Sequence, residues 1–137
     1  MQNGLGRRNM RKRSEARQTE ILRLLQAQAK PMSAYQILSA LQEDEPDIAP
    51  PTVYRTLTAL TDQGRAHRLE SIKAFVPCKC DHAQSVSVLA ICGDCGAVDE
   101  HAGDTVVSEL APLVTSTGFT AKRHVVEIHG QCRNCTA

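Results

Sequence analysis

Residues 50–64 read PPTVYRTLTALTDQG, and this stretch decides the fold. Two prolines open it and a glycine closes it. That is the asymmetry of an α-helix, whose first turn tolerates a missing N–H and whose end favours a left-handed residue. Val53, Leu57 and Leu60 give the helix one apolar side. The other side carries Thr52, Tyr54, Arg55, Thr56 and Thr58. These groups can hydrogen-bond to phosphates or base edges, where a merely solvated helix would carry a Glu/Lys mixture. The stretch therefore reads as a recognition helix.

Working outward, Ala66–Leu69 and Ala74–Val76, separated by residues 70–73, read as a short hairpin just after Gly64. Upstream, Ser33 and Gln36 form a capping-box signature followed by Ile37, Leu38 and Leu41 at helical spacing, and the acidic run from Glu43 to Asp47 ends that helix. An earlier helix is expected from Ser14 to Gln28, with Ile21, Leu22, Leu24, Leu25 and Gln28 on one side and Pro31 beyond its end. Three helices followed by a hairpin is the winged-helix order. Past Cys80 the character changes: Ser85–Ile91 alternates as a strand, Thr105–Val114 reads as a helix interrupted by Pro112, and Phe119–His129 contains another alternating stretch. The expected fold is α+β, with an N-terminal winged helix-turn-helix domain at 1–77, a hinge at 78–84 and a small α/β domain at 85–137.

The chain has 137 residues, with two Phe, two Tyr and no Trp, so either half has little core to spare. A small domain of this kind needs fastening from a metal or a partner subunit. The net charge is +1, unevenly spread: residues 1–30 hold eight Lys/Arg against two acidic residues, and the remainder holds 8 against 13. A basic segment leading into a helix can lie against phosphates, each neutralised phosphate releasing condensed counterions. No stretch approaches the roughly 20 apolar residues of a membrane span, and no apolar run resembling a signal peptide follows the charged start. The expected setting is the cytoplasm, without a membrane partner. In that reducing compartment the six cysteines read as metal ligands or reactive thiols before they read as disulfides.

Cys92-Gly93-Asp94-Cys95 and Cys132-Arg133-Asn134-Cys135 are two Cys-x-x-Cys turns separated by 36 residues. Each turn presents two thiolates, and two turns make the closed four-sulfur shell typical of structural zinc. A redox pair is the rival reading, but it would need only one such turn, beside a βαβ pattern. A second cluster, His67, Cys78, Cys80, Asp81, His82, Glu100 and His101, offers mixed nitrogen, sulfur and oxygen ligands drawn from both halves of the chain. Such a set would tie the orientation of the halves to metal occupancy, as a sensor requires.

The sequence resembles the ferric uptake regulator family, and within it the zinc uptake regulator branch, from about Ser14 to Cys135. The resemblance rests on Ser33-Ala34-Tyr35, Pro51-Thr52-Val53-Tyr54-Arg55, His67 with Glu70-Ser71, Cys92-x-x-Cys95-Gly96 and His129-Gly130-x-Cys132-x-x-Cys135. It implies a homodimer with a winged-helix DNA-binding domain and an α/β dimerisation domain stapled by zinc on Cys92, Cys95, Cys132 and Cys135. It also implies a regulatory zinc on His67, Cys78, His82 and Glu100, hence two zinc ions per subunit, and DNA contacts from Thr52, Tyr54 and Arg55. His82 stands farther before Cys92 than the family's histidines usually do, leaving Cys80 or Asp81 as substitutes. The family's histidine-rich run before the first Cys-x-x-Cys is missing, which leaves only His101, His124 and His129 as candidates for a third site.

The implied function is a zinc-responsive repressor that binds palindromic double-stranded operator DNA and controls zinc uptake genes. Thiolate at Cys78 favours zinc over harder ions. The alternative within the family is a sensor of iron, manganese or peroxide. Catalytic zinc would keep an open position beside a general base, and no cleft-forming motif accompanies Glu100, so neither an enzyme nor a small-molecule substrate is expected.

Overall fold

The computed structural model describes residues 3–28, 30–79 and 86–136, which divide into two compact units on either side of the Pro77–Cys78 bond. The first unit contains three helices, α1 (Asn3–Ala27), α2 (Ala34–Gln42) and α3 (Pro50–Asp62), and then a hairpin of β1 (Ala66–Leu69) and β2 (Ala74–Pro77). The winged-helix order read from the sequence is the order observed.

Local chemistry sets each boundary. Ser33 caps α2 through a reciprocal box: its Oγ accepts from the Gln36 N–H at 3.1 Å, while Gln36 Oε1 accepts from the Ser33 N–H at 2.9 Å. Helix α3 has Pro50 in its first turn and no side-chain cap. It ends in a Schellman motif, in which the Gly64 N–H reaches Thr61 O at 3.1 Å and the Arg65 N–H reaches Leu60 O at 2.9 Å. That motif requires a left-handed residue, and Gly64 has φ 71°. In the wing, His67 pairs with Val76 and Leu69 with Ala74. The wing is tied back to the helices because Met32 and Phe75 exchange backbone hydrogen bonds of 3.1 and 2.8 Å.

Helices α1, α2 and α3 bury Ile21, Leu25, Ile37, Val53, Leu57 and Leu60 almost completely, and Leu69 of the wing is equally buried. Three local expectations are corrected here. Helix α1 starts at Asn3 rather than near Ser14: no proline interrupts residues 3–13, and Arg7, Arg8, Arg11, Lys12 and Arg13 favour a helix, although Gly4 and Gly6 do not. Its inner face carries Gln18, 7% exposed and accepting from Arg65 at 3.4 Å, whereas Gln28 is exposed. Thr56 is also turned inward, only 8% exposed, with its hydroxyl donating to Thr52 O at 2.8 Å.

The second unit is a three-stranded sheet ordered β4-β3-β5, from β3 (Ser87–Cys92), β4 (Val98–Ala102) and β5 (Val126–Gly130). Strand β3 is antiparallel to β4 and parallel to β5, and α4 (Asp104–Thr115, with Pro112 inside) lies between β4 and β5 in sequence. Strand β4 was not anticipated: Val98-Asp99-Glu100-His101-Ala102 lacks apolar alternation, and its pairing with β3, not burial, makes it a strand. The alternating stretch from Phe119 is strand only from Val126 onward. Gly103 turns β4 into α4, its N–H 2.7 Å from Val86 O, and a Cβ there would stand 3.0 Å from both Val86 O and the Val88 side chain. Among the described residues, the buried hydrophobics of this unit are Leu89, Ile91 and Cys92. Val106, Leu110, Leu113, Val114, Phe119 and Ile128 are exposed.

Two substitutions test this account of the first unit by denaturant unfolding. Gly64→Ala places a Cβ in the left-handed region and is expected to cost about 1 kcal/mol. Leu57→Ala, at a side chain 1% exposed, is expected to cost about 2–5 kcal/mol.

Candidate functional site

Two tight turns meet at one end of the second unit's sheet. The first, Cys92–Cys95, leaves the end of β3, and the Gly96 N–H closes it on Cys92 O at 3.0 Å. The second, Cys132–Cys135, follows β5, with the Cys135 N–H on Cys132 O at 3.0 Å. Because β3 and β5 run parallel with Cys92 opposite Gly130, both turns leave the sheet on the same side. The Gly93 N–H donates to Gly130 O at 2.9 Å, the Cys132 N–H donates to Cys92 Sγ at 3.3 Å, and Gln131 Nε2 donates to Asp94 Oδ2 at 2.7 Å. The Asp94–Gln131 bond was not foreseen, although both residues lie inside or beside the Cys-x-x-Cys turns.

The result is a set of four sulfurs all within 4.8 Å of one another. Cys95 and Cys132 approach to 3.6 Å, far beyond the roughly 2.05 Å of a disulfide, and the thiols are free. Their acidities diverge. Backbone N–H groups of Cys95 and then Cys132, directed at Cys92, lower its thiol to about 6. At Cys95 the Ala97 N–H pulls downward, but sharing with Cys132 and Cys92 outweighs it and the thiol ends above its ordinary value. Cys135 is pushed up to about 12, first by Cys132 and then by Cys92 and Cys95. Four thiolates in so small a volume repel one another, and a cation at their centre would relieve that repulsion. One ion with four sulfur ligands and no open position fits structural zinc.

A second arrangement lies elsewhere in the same unit. Glu100, on β4 and opposite Leu89, is held by three donors: Cys78 Sγ at 3.4 Å and Ser87 Oγ at 2.7 Å on one oxygen, and the Lys79 N–H at 3.0 Å on the other. The carboxylate is thus aimed at Cys78, and Ser87 is a positioning group that spacing did not reveal. Within the first unit, His67 is half-buried on β1, opposite Val76 and near the unit's end at Pro77. His82, Cys80 and Asp81 lie outside the described residues. His101 on β4 and His129 on β5 pair with opposite edges of β3, and among the described residues neither they nor His124 gather with other donors into a group of three. On α3, Tyr54 is 58% exposed, Arg55 is exposed with its Nε donating to Pro51 O at 3.3 Å, and Thr52 is half-buried.

The sequence profile of the ferric uptake regulator family matches residues 8–129. The chain belongs to that family. Among family relatives, it is 40% identical over 117 residues to the zinc uptake regulation protein of Escherichia coli K12, covering 85% of this chain and 68% of that one. It is 34% identical over 115 residues to the peroxide operon regulator of Bacillus subtilis, covering 82% and 76% respectively. A solved structure of a zinc uptake regulator complexed with zinc and DNA superposes with a TM-score of 0.82 at 39% identity, covering 87% of this chain and 80% of that one. The structure of holo XcZur gives 0.80 at 36% identity, covering 87% and 83%. As in the sequence reading, the family fold is α+β. Among the described residues, no helix is long and apolar enough to cross a membrane.

The divergent thiol acidities predict how metal loading depends on pH. Cys95 and Cys135 both sit above neutrality, so loading the four sulfurs at pH 7 releases at least two protons. Zinc affinity at this site is expected to fall by roughly 100-fold for each unit that pH drops near neutrality. Chelator competition at pH 7.5 and 6.5 measures the slope.

Proposed function

We propose that this chain is a zinc-responsive transcriptional repressor, which binds palindromic operator DNA as a zinc-loaded homodimer in the cytoplasm and controls zinc uptake genes. The observation that carries this reading is the likeness, at 39% identity and over most of both chains, to a zinc uptake regulator complexed with zinc and DNA. On this reading residues 1–77 are the DNA-binding domain, 78–84 a hinge and 85–137 the dimerisation domain. The exposed Val106, Leu110, Leu113, Val114, Phe119 and Ile128, set against a core of Leu89, Ile91 and Cys92, support a second copy as the covering partner.

The four-cysteine set is the structural zinc site, closed and without a catalytic position, which supports a regulator over an enzyme. The regulatory zinc is assigned to His67, Cys78, His82 and Glu100. Its support is the Cys78–Glu100 contact and the place of His67, whose strand partner Val76 stands two residues before Cys78. A thiolate in this set suits zinc better than iron(II) or manganese(II). A sulfur, a nitrogen and a carboxylate drawn from both sides of the domain boundary would stabilise one relative orientation of the domains when zinc is bound. That orientation sets the separation of the two α3 helices across the palindrome. By reciprocity, operator DNA tightens regulatory zinc by the same factor.

The test is a titration of zinc, iron(II) and manganese(II) into protein retaining only the four-cysteine metal, following operator binding. Zinc is expected to tighten binding about 5- to 150-fold, and His67→Ala with Cys78→Ser should abolish the gain. No gain with zinc, or an intact gain in the double variant, defeats the sensor assignment. Cys132→Ser with Cys135→Ser should instead unfold the dimerisation domain, seen as loss of the dimer in sedimentation. Arg55→Ala should weaken operator binding relative to unrelated duplex by about 1–3 kcal/mol, as expected for a base contact.

A further inference from the structure

Helix α1 outruns the core that it serves. From Gly6 to Ala16 every residue is exposed, and burial begins only at Arg17 and Gln18. Arg17 is fixed there by ion pairs to Glu20 at 2.8 Å and Glu45 at 2.5 Å. The overhang carries Arg7, Arg8, Arg11, Lys12 and Arg13 with no acidic residue before Glu15, and among the described residues none of the five makes an ion pair.

Their placement on the helix is ordered. At about 100° per residue, Arg7, Arg11, Arg8 and Lys12 occupy an arc of roughly 140°, and Arg13 alone lies on the far side. The same arc contains the directions of Gln18, Leu22 and Leu25, which face the core farther along α1, and Ile21 lies just beside it. One face of a single helix thus passes from apolar to basic where the protein body ends. Four charges over five helical steps is about one per 2 Å of length, denser than the roughly one phosphate per 3.4 Å of axis that each strand of a DNA duplex presents.

We propose that this basic overhang is a second DNA-binding element, a helical rail that lies along duplex phosphates without reading bases. The proposal rests on the operator-binding reading and adds to it a contact outside α3. Duplex DNA is favoured as the occupant by charge complementarity and by the location of the rail in the same compact unit as the wing and α3. Because α1 is continuous from Asn3 to Ala27, the backbone that carries the cations is pre-ordered, and binding surrenders side-chain freedom alone.

The experiment measures binding of zinc-loaded full-length protein to an operator duplex and to an unrelated duplex at several salt concentrations. The variant replaces Arg7, Arg8, Arg11 and Lys12 with Ala, and a companion carries Lys at all four positions. The Ala variant is expected to keep its zinc response and its ratio of operator to unrelated affinity. Its slope of log affinity against log salt should become shallower by about 0.9 for each phosphate that is no longer neutralised, up to roughly 3 to 4 per subunit and about 7 for the homodimer. The Lys companion should keep the parent slope. An unchanged slope in the Ala variant overturns the rail and leaves the stripe to an acidic protein surface. A weakening confined to the operator also overturns it, since it would mean base reading. If the parent protein fails to bind operator with zinc, the operator-binding reading itself fails, which is a separate result.

Discussion

Four sulfurs held within 4.8 Å are an electrostatic problem that the second unit cannot avoid. Backbone N–H groups settle one thiolate at Cys92, and each further ionisation is opposed by the charge already present, which is why Cys135 is pushed up to about 12. A divalent ion reverses the sign of that balance by turning mutual repulsion into shared attraction. The surrounding structure depends on this cluster because little else holds the unit: among the described residues its buried hydrophobics are Leu89, Ile91 and Cys92, and Cys92 is itself one of the four. Parallel pairing of β3 and β5, the Gly93–Gly130 bond and the Asp94–Gln131 bond bring the two turns together at one end of the sheet.

The first unit is built on the opposite principle. Its helices bury a continuous set of aliphatic side chains, and its boundaries are set by local hydrogen bonding at Ser33, Gln36 and Gly64. Such a unit is fastened by its own apolar core rather than by a sulfur cluster, which on the proposed reading suits α3 and the wing to serve as a reading head. A metal-responsive regulator needs this division of labour. The DNA-facing surface must be permanent, and the metal must act on how two such surfaces are presented. On the proposed reading, the exposed apolar side chains of α4 and its surroundings serve the second task, because an assembly of two chains is what converts one winged helix into a reader of a palindrome.

How much of this was legible in the sequence follows from the range of each interaction. The capping box at Ser33, the Pro50-to-Gly64 helix and the hairpin after it are determined by neighbours a few residues apart, and they read correctly. So does the α+β class, since hydrophobic periodicity changes visibly across the chain. Thr56 misled because its polar hydroxyl sorted it with Arg55, whereas helical spacing from Val53 and Leu60 sets it on the apolar side, and the Thr52 carbonyl that accepts its hydroxyl lets it turn inward. The start of α1 misled because no apolar face before Gln18 gives a periodic signal to follow, yet the Arg and Lys residues from Arg7 to Arg13 favour a helix and no proline stops it before Asn3.

The sequence by itself determined the local elements other than β4 and the start of α1, the four-cysteine spacing and the family, because each rests on contacts close in the chain or on residue identities at given spacings. Only the tertiary structure decided that β4 exists, since a charged edge strand is created by its neighbour β3 and not by its own pattern. It also decided how Glu100 is aimed, through Cys78, Lys79 and Ser87, residues 13 to 22 positions away that no local rule relates to it. Finally, it decided that one face of α1 turns from core to charge. Composition could count those cations, but only a continuous helix gives them an order.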